Sequence, residues 1–156
     1  MKKFSSLIVG LLAIIGMGAV AVSQTPPAKS PTAAKHKVAI QVNENRPEVM
    51  TLALNNVQNI IAYYKGKNET VDVQVVTFGP GLHMLRSDTS PVKQRIATMV
   101  LENSNLSFAA CANTRANQTK AEGGVEVPLV SEARIVPSGV TTLIELQEQG
   151  YVYLRP

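Results

Sequence analysis

The chain is poor in cysteine, aromatic residues and charge, and these shortages narrow its class. Its 156 residues include one cysteine and no tryptophan, with 4% aromatic and 17% charged residues. One cysteine excludes an internal disulfide framework. Ten glycines and nine prolines exclude a collagen-like or low-complexity chain. The 45% hydrophobic content excludes a disordered one, because it supplies enough apolar surface to offset the loss of conformational entropy. One folded domain with a short appendage is therefore expected.

Motifs of several common chemistries are also missing. Neither a GxGxxG nor a GxxxxGKS/T phosphate loop occurs, and there is no GxSxG nucleophile elbow. One cysteine and two histidines, His36 and His83, give no metal-ligand spacing, so we expect neither a metal nor a cofactor. Thioredoxin-like exchange is excluded, because no second cysteine is present to resolve a mixed disulfide.

The first 23 residues have the organisation of a secretory signal peptide. Lys2 and Lys3 open the chain, an apolar run spans Leu7–Val22, and Ala21–Ser23 places small residues before the predicted cleavage site. We expect a periplasmic or secreted protein, with no stable membrane span after cleavage. The alternative is an uncleaved N-terminal membrane anchor, although the run is short against the roughly 20 residues that a span needs.

Cleavage would also remove much of the basicity of the chain. The formal charge is 15 − 11 = +4, and loss of Lys2 and Lys3 leaves 13 − 11 = +2. The remaining basic residues alternate with acidic ones and form no stripe, so we expect no nucleic-acid partner. Residues 24–36 contain three prolines and no side chain more apolar than alanine or proline, which predicts a flexible linker. The folded domain is expected at residues 37–156.

Within that domain, β-branched runs alternate with segments of helical periodicity. The predicted strands are Lys37–Val42, Val71–Phe78, Leu106–Ala112, Glu132–Val136 and Tyr151–Leu154. The predicted helices are Pro47–Gly66, a segment capped by Ser90, Thr114–Glu122, and a segment capped by Ser138 and closed by Gly150. This alternation predicts an α/β fold with a mainly parallel five-stranded sheet and helices on both faces.

In an open parallel sheet, ligands bind beyond the carboxyl ends of the strands. The loops at those ends supply the candidate crevice residues Asn43, Glu44, Gly79, Gly81, His83, Cys111, Asn113, Thr114 and Arg115, with Pro137–Gly139 after the fourth strand. Three of these residues, Cys111, His83 and Glu44, have side chains able to do covalent or proton chemistry.

Cys111 is the only thiol and ends the third predicted strand, just before a predicted helix. The positive end of a helix dipole favours a thiolate, and Arg115 is expected to add to that effect. His83 is a candidate base across the crevice. The alternatives are a packed small hydrophobe for Cys111, a surface loop residue for His83, and a tight turn for Gly79 and Gly81.

Four segments in order resemble the DsrE/DsrF-like family: Leu54–Asn59, Val75–Leu82, Phe108–Thr114 and Gly150–Arg155. The resemblance covers residues 37–156. It implies a three-layer α/β/α fold and assembly into small rings, trimers or hexamers. Sulfur-relay members carry a persulfide on a cysteine in the loop after the third strand, and Cys111 falls at that position.

Two functions remain open from the sequence. The first is a sulfur carrier of the cell envelope, in which Cys111 accepts a sulfane sulfur from a donor protein and passes it to an acceptor. The second is a non-catalytic module for small-ligand binding or assembly, in which Cys111 only packs. Export favours the second, as does Thr114–Gln118, where relay members tend to have an Arg-Gly pair. The oxidation liability of a thiol favours the first, because valine or alanine would pack as well.

Overall fold

The described part of the protein is residues 35–156 of a computed structural model. The strands are β1 His36–Val42, β2 Val71–Thr77, β3 Leu106–Cys111, β4 Ala133–Val136 and β5 Val152–Leu154. The helices are α1 Pro47–Gly66, α2 Lys93–Glu102, α3 Ala112–Ala121 and α4 Gly139–Glu148, and a 3-10 helix spans Gly79–Leu85. The predicted signal peptide and residues 24–34 of the predicted linker lie outside the described residues, and the last linker residue, His36, already belongs to β1.

All five strands are parallel, in the order β4-β3-β2-β1-β5. The chain moves stepwise from β1 to β4, and α4 then carries it back across the sheet to β5, beside β1. Because parallel crossovers are right-handed, this reversal places α4 on the opposite face from α1, α2 and α3. The predicted three-layer α/β/α fold is confirmed, and the sheet is parallel throughout.

Two hydrophobic cores fill the spaces between these layers. Successive side chains of a strand point to opposite faces, so Ile40 of β1 packs in the core under α1 and α2, whereas its neighbour Ala39 packs under α4. The larger core contains Phe108, which is fully buried. The smaller one contains Ala39, Val76, Ala109, Val136, Leu143, Leu146 and Tyr151. The sheet is thus covered on both faces, as a parallel sheet requires.

The segment after β2 differs from its prediction. Gly79 and Gly81 predict a tight turn, but the segment Gly79–Leu85 forms a 3-10 helix whose apolar side chains are buried. Pro80 suits the first turn of that helix. Gly81 is required for packing, because a Cβ there would lie 2.2 Å from the carbonyl oxygen of Val42. The 3-10 helix is therefore fixed against the end of β1.

Arg86 fastens the end of this 3-10 helix to the chain that follows α3. Its guanidinium, 14% exposed, pairs with Asp88 and with Glu122 at the end of α3. The hydrogen bond to Asp88, the larger influence, and that to Glu122 raise the pKa of Arg86 above its usual range. The backbone of Arg86 also forms an isolated antiparallel bridge with Leu129. This cluster holds the α3–β4 connection in place.

None of the helices in residues 35–156 is long and apolar enough to cross a lipid bilayer.

Candidate functional site

Cys111 is the last residue of β3 and the N-cap of α3. It pairs in register with Val136 of β4. It is two residues beyond Ala109, which packs in the core under α4, so the thiol points to the α4 face of the sheet. The residue is 4% exposed. Its sulfur therefore lies inside the carboxyl edge of the sheet, beneath the start of α4.

Two helices begin beside this sulfur. The crossovers after β3 and β4 leave on opposite faces, which makes the edge between these strands a topological switch point. The Thr114 N–H of α3 donates to Sγ at 3.5 Å, and the N–H groups of Asn113 and Gly139 also act on the thiol. The first turns of α3 and α4 thus present backbone donors to one atom, the arrangement that binds anions at helix N-termini.

Burial and these donors act in opposite directions on the pKa of the thiol. Burial, the largest single influence, raises the pKa of Cys111 because it penalises the thiolate. Hydrogen bonds from the Thr114 hydroxyl and from the backbone of Gly139, Thr114 and Asn113 act against burial. Together they prevail, and the pKa of Cys111 lies below its ordinary value. A lowered pKa favours the thiolate, which is the nucleophilic form of cysteine.

Thr114 connects the thiol to the 3-10 helix. Its hydroxyl oxygen accepts from the Gly79 N–H at 2.9 Å, and the same hydroxyl lowers the pKa of Cys111. Gly79 has a φ of +54°, in the left-handed region that favours glycine, and its carbonyl accepts from Gln118 Nε2 at 3.3 Å. The orientation of the Thr114 hydroxyl is thus set by the backbone at the end of β2.

Gly139 brings the first turn of α4 close to the sheet. A Cβ at this residue would lie 2.9 Å from Cβ of Phe78, closer than two side chains can approach. Ser138 caps the same helix, with its hydroxyl oxygen accepting from the Thr141 N–H at 3.5 Å. The Asn113 N–H donates to Pro137 O at 3.4 Å, which joins the starts of α3 and α4.

Two predicted site residues face elsewhere. Arg115 donates from Nε to the carbonyl oxygen of Val127 at 2.8 Å and pairs with Glu126 at 2.7 Å. The expected support for a thiolate from Arg115 is therefore supplied by Thr114 instead. His83 uses both ring nitrogens, Nδ1 toward Asn45 Oδ1 and Nε2 toward the carbonyl oxygen of Thr89 at 3.0 Å. No hydrogen bond joins its ring to Cys111 among residues 35–156.

The remaining candidates, Asn43 and Glu44, lie after β1. Glu44 pairs with Arg46 at 3.0 Å and with Arg155 at 3.1 Å. The hydrogen bond from Arg155 first, and that from Arg46 second, lower the pKa of Glu44. Glu44 thus ties the end of β1 to the C-terminal segment as a carboxylate. The Cα of Asn43 is against Gly81, where a Cβ would lie 2.7 Å away. Both residues serve packing and chain closure.

One large cavity lies at the edge of the sheet opposite to the thiol. It has a volume of about 430 Å³ and is lined by residues such as Lys65, Glu69 and Asn105, at the amino ends of β2 and β3. Parallel α/β sheets bind ligands at the opposite edge, so this cavity is a weaker site despite its size. Within the described residues, no cluster of three or more histidine, cysteine, aspartate or glutamate side chains is arranged to hold a metal ion.

Comparison with models of protein families finds none that matches the chain, and comparison with curated proteins finds no match. A solved structure does match: the protein of unknown function MTH1491 from Methanobacterium thermoautotrophicum. The identity is 27% and the TM-score 0.66, over 78% of this chain and 99% of that chain. The likeness supports the three-layer fold. The resemblance to the DsrE/DsrF-like family stays a prediction.

Proposed function

We propose that the protein is a sulfur carrier that holds a sulfane sulfur on Cys111. The observation that carries this proposal is the convergence of two helix N-termini and the Thr114 hydroxyl on one buried sulfur with a lowered pKa. Such donors stabilise a thiolate, which is the nucleophilic form of cysteine. The positive ends of the two helix dipoles also favour the negative charge of a persulfide, which lies on the outer sulfur, one S–S bond beyond Sγ.

The loading step needs no oxidant beyond the donor. The Cys111 thiolate attacks the sulfane sulfur of thiosulfate, a new S–S bond forms, and sulfite leaves with the electron pair of the broken bond. With a persulfide donor the leaving group is a thiolate, in the manner of thiol–disulfide exchange. In the unloading step, an acceptor thiolate attacks the outer sulfur and Cys111 leaves as a thiolate. No second cysteine is needed for either step.

The alternative, a non-catalytic module of the same fold, is favoured by one observation. Cys111 is 4% exposed and borders the core residue Val136, as a packed small hydrophobe would. Reactivity of the folded protein separates the two functions, because a purely packed thiol with no access reacts only on unfolding.

Export to the cell envelope and assembly are part of the proposal. Apolar side chains of α4 and β5 support a homo-oligomer, which the family resemblance makes a trimer or hexamer: Val140, Ile144 and Tyr153 stay exposed on the α4 side of the sheet. Exposed apolar clusters of this kind are common at protein interfaces. The mass of the mature N-terminus tests export with cleavage near Ser23, and light scattering tests assembly. A chain that retains Met1, or a monomer at micromolar concentration, would contradict them.

The test of function is the mass of the intact folded protein after incubation with thiosulfate or polysulfide. We expect a gain of one sulfur, about 32 Da, that is removed by a reducing thiol and is absent in Cys111→Ser; a sulfinic acid has a similar mass but resists reduction. If folded Cys111 accepts no sulfur and resists iodoacetamide, the carrier function is wrong.

A further inference from the structure

A small pocket lies between α4 and the outer strands, on the face to which the Cys111 thiol points. Its volume is about 250 Å³, and its walls include Arg134 and Val136 of β4 and Thr142 and Glu145 of α4. Val136 is the register partner of Cys111. The pocket therefore begins one strand away from the thiol, at the same level of the sheet.

The pocket has one charge of each sign. Neither Arg134 nor Glu145 forms an ion pair with any residue in the described part of the chain. Arg134 donates one hydrogen bond from Nη2 to Gln74 Oε1 at 3.1 Å, which leaves further guanidinium N–H groups free to bind a carboxylate. Two separate opposite charges on one small pocket are complementary to a zwitterion.

A buried hydroxyl adds a third polar group. Thr142 is 8% exposed and lines the pocket. Its hydroxyl forms no hydrogen bond with a described residue, whereas those of Thr98 and Thr141 bond back to their own helices. It is not among the side-chain atoms sealed from solvent without a partner, so its oxygen is accessible from outside the protein. Because Thr142 lines the pocket, this hydroxyl is available to a ligand bound there.

We propose that this pocket binds a small amino-acid persulfide, the zwitterionic class of donor that loads Cys111. The transfer of sulfur from this ligand rests on the proposed carrier function, whereas binding of the zwitterion to the pocket does not. Arg134 binds the α-carboxylate, Glu145 the α-ammonium, and the Thr142 hydroxyl a further polar atom. The volume is below the roughly 300–1,000 Å³ of pockets for drug-sized ligands, as suits a molecule the size of a single amino acid.

The transfer is balanced without another reactant. The Cys111 thiolate attacks the outer sulfur of the bound persulfide and forms a new S–S bond. The S–S bond of the donor breaks, and the amino acid leaves as its thiolate with the electron pair. The outer sulfur keeps its proton, and the leaving thiolate takes one from water. The number of S–S bonds is unchanged, so nothing is oxidised or reduced overall.

The test compares two donors and three variants. Cysteine persulfide is zwitterionic and thiosulfate is an anion without an ammonium group. We expect Arg134→Gln and Glu145→Gln each to lower the initial rate of loading from cysteine persulfide by about fivefold or more, whereas Glu145→Gln leaves loading from thiosulfate unchanged. Glu148→Gln, an exposed residue of the same helix, is the control and leaves both rates unchanged. If Glu145→Gln leaves loading from cysteine persulfide unchanged, or raises loading from both donors, the zwitterion site is refuted.

A second measurement keeps the pocket and the carrier function distinguishable. S-methyl-L-cysteine, which has no sulfur to transfer, is titrated into the Cys111→Ser variant and followed by NMR. We expect saturable shifts of the Val136 and Thr142 amides that are lost in Glu145→Gln. If these shifts occur while Cys111 accepts sulfur from no donor, the pocket stands and the carrier function fails. If no shifts occur, the pocket assignment fails, whatever Cys111 does.

Discussion

Replacing Thr114 by valine removes one hydroxyl from the thiol and keeps the shape of the side chain. The hydrogen bond from that hydroxyl is the largest of the influences that lower the pKa of Cys111, so Thr114→Val raises that pKa. Hydrogen bonds to charged groups contribute about 1.5–3 kcal/mol. Loss of one therefore lowers the thiolate fraction, at a pH below the pKa, by about ten- to a hundredfold.

The expected loss of rate is smaller than the loss of thiolate. A more basic thiolate is a better nucleophile, with a Brønsted coefficient of about 0.4–0.5, so reaction with a small disulfide slows by about four- to fifteenfold. The assay is the rate of that reaction from pH 5 to 10, where the Thr114→Val profile shifts to higher pH. Thr114→Ser, which retains the hydroxyl, stays near the wild-type profile.

Two outcomes would refute this reasoning. If Thr114→Val and the wild type have the same pH profile, the hydroxyl does not act on the sulfur. If Thr114→Ser is as slow as Thr114→Val, the methyl group matters rather than the hydrogen bond. Thermal unfolding is measured in parallel, because Thr114→Val also removes the acceptor of the Gly79 N–H. The rates are compared only if the variant is folded under the conditions of the assay.

Three further predictions follow from the packing and charges. Gly81→Ala places a Cβ 2.2 Å from Val42 O and should lower the free energy of unfolding in urea by about 3 kcal/mol or more. Gly66→Ala, with open space around it, should stay within about 1 kcal/mol of wild type. Equal effects of the two substitutions would contradict the close contact. Arg86→Ala should lower the melting temperature, less so at high salt, because its carboxylate partners are part-exposed. Because the pKa of Cys111 is lowered in the folded protein, ionisation of the thiol stabilises the fold relative to Cys111→Ser. This contribution should be present above the unfolded thiol pKa of about 8.5 and be lost as pH falls through the lowered folded pKa. A stability difference independent of pH would contradict it.

The fold was predictable from the sequence because most of its elements have local signals. The apolar stripe from Pro47 to Gly66 and the β-branched run Val71–Phe78 each match one period, and the structure has a helix at Pro47–Gly66 and a strand at Val71–Thr77. The 3-10 helix was not predictable in this way. Its glycines and proline indicate a turn, and burial of Leu82 and Leu85 depends on the distant strands and helices that cover them.

The site was predictable only in part, for a related reason. The end of β3 and the following helix place Cys111 at a helix N-terminus, a relation between neighbours in sequence. The direction of a long side chain depends on its tertiary contacts, and Arg115 contacts Glu126 and Val127 rather than the thiol. Gly139 acts on the thiol from another crossover. A lone glycine after Pro137–Ser138 indicates a helix start but not which atom its N–H faces.

The topology gives the clearest reason to regard the cysteine as functional. Reversal of the chain after β4 brings the starts of α3 and α4 to the last residue of β3 that faces α4. An uncharged packed side chain gains nothing from donors at that point, and valine or alanine would fill the space without the risk of oxidation. A group that bears negative charge gains from each of them. The sequence has its single thiol there, with the Thr114 hydroxyl held toward it by Gly79. Packing and helix capping account for a small residue with a hydrogen-bond acceptor at this position, and the proposed sulfur chemistry would use the donors around it.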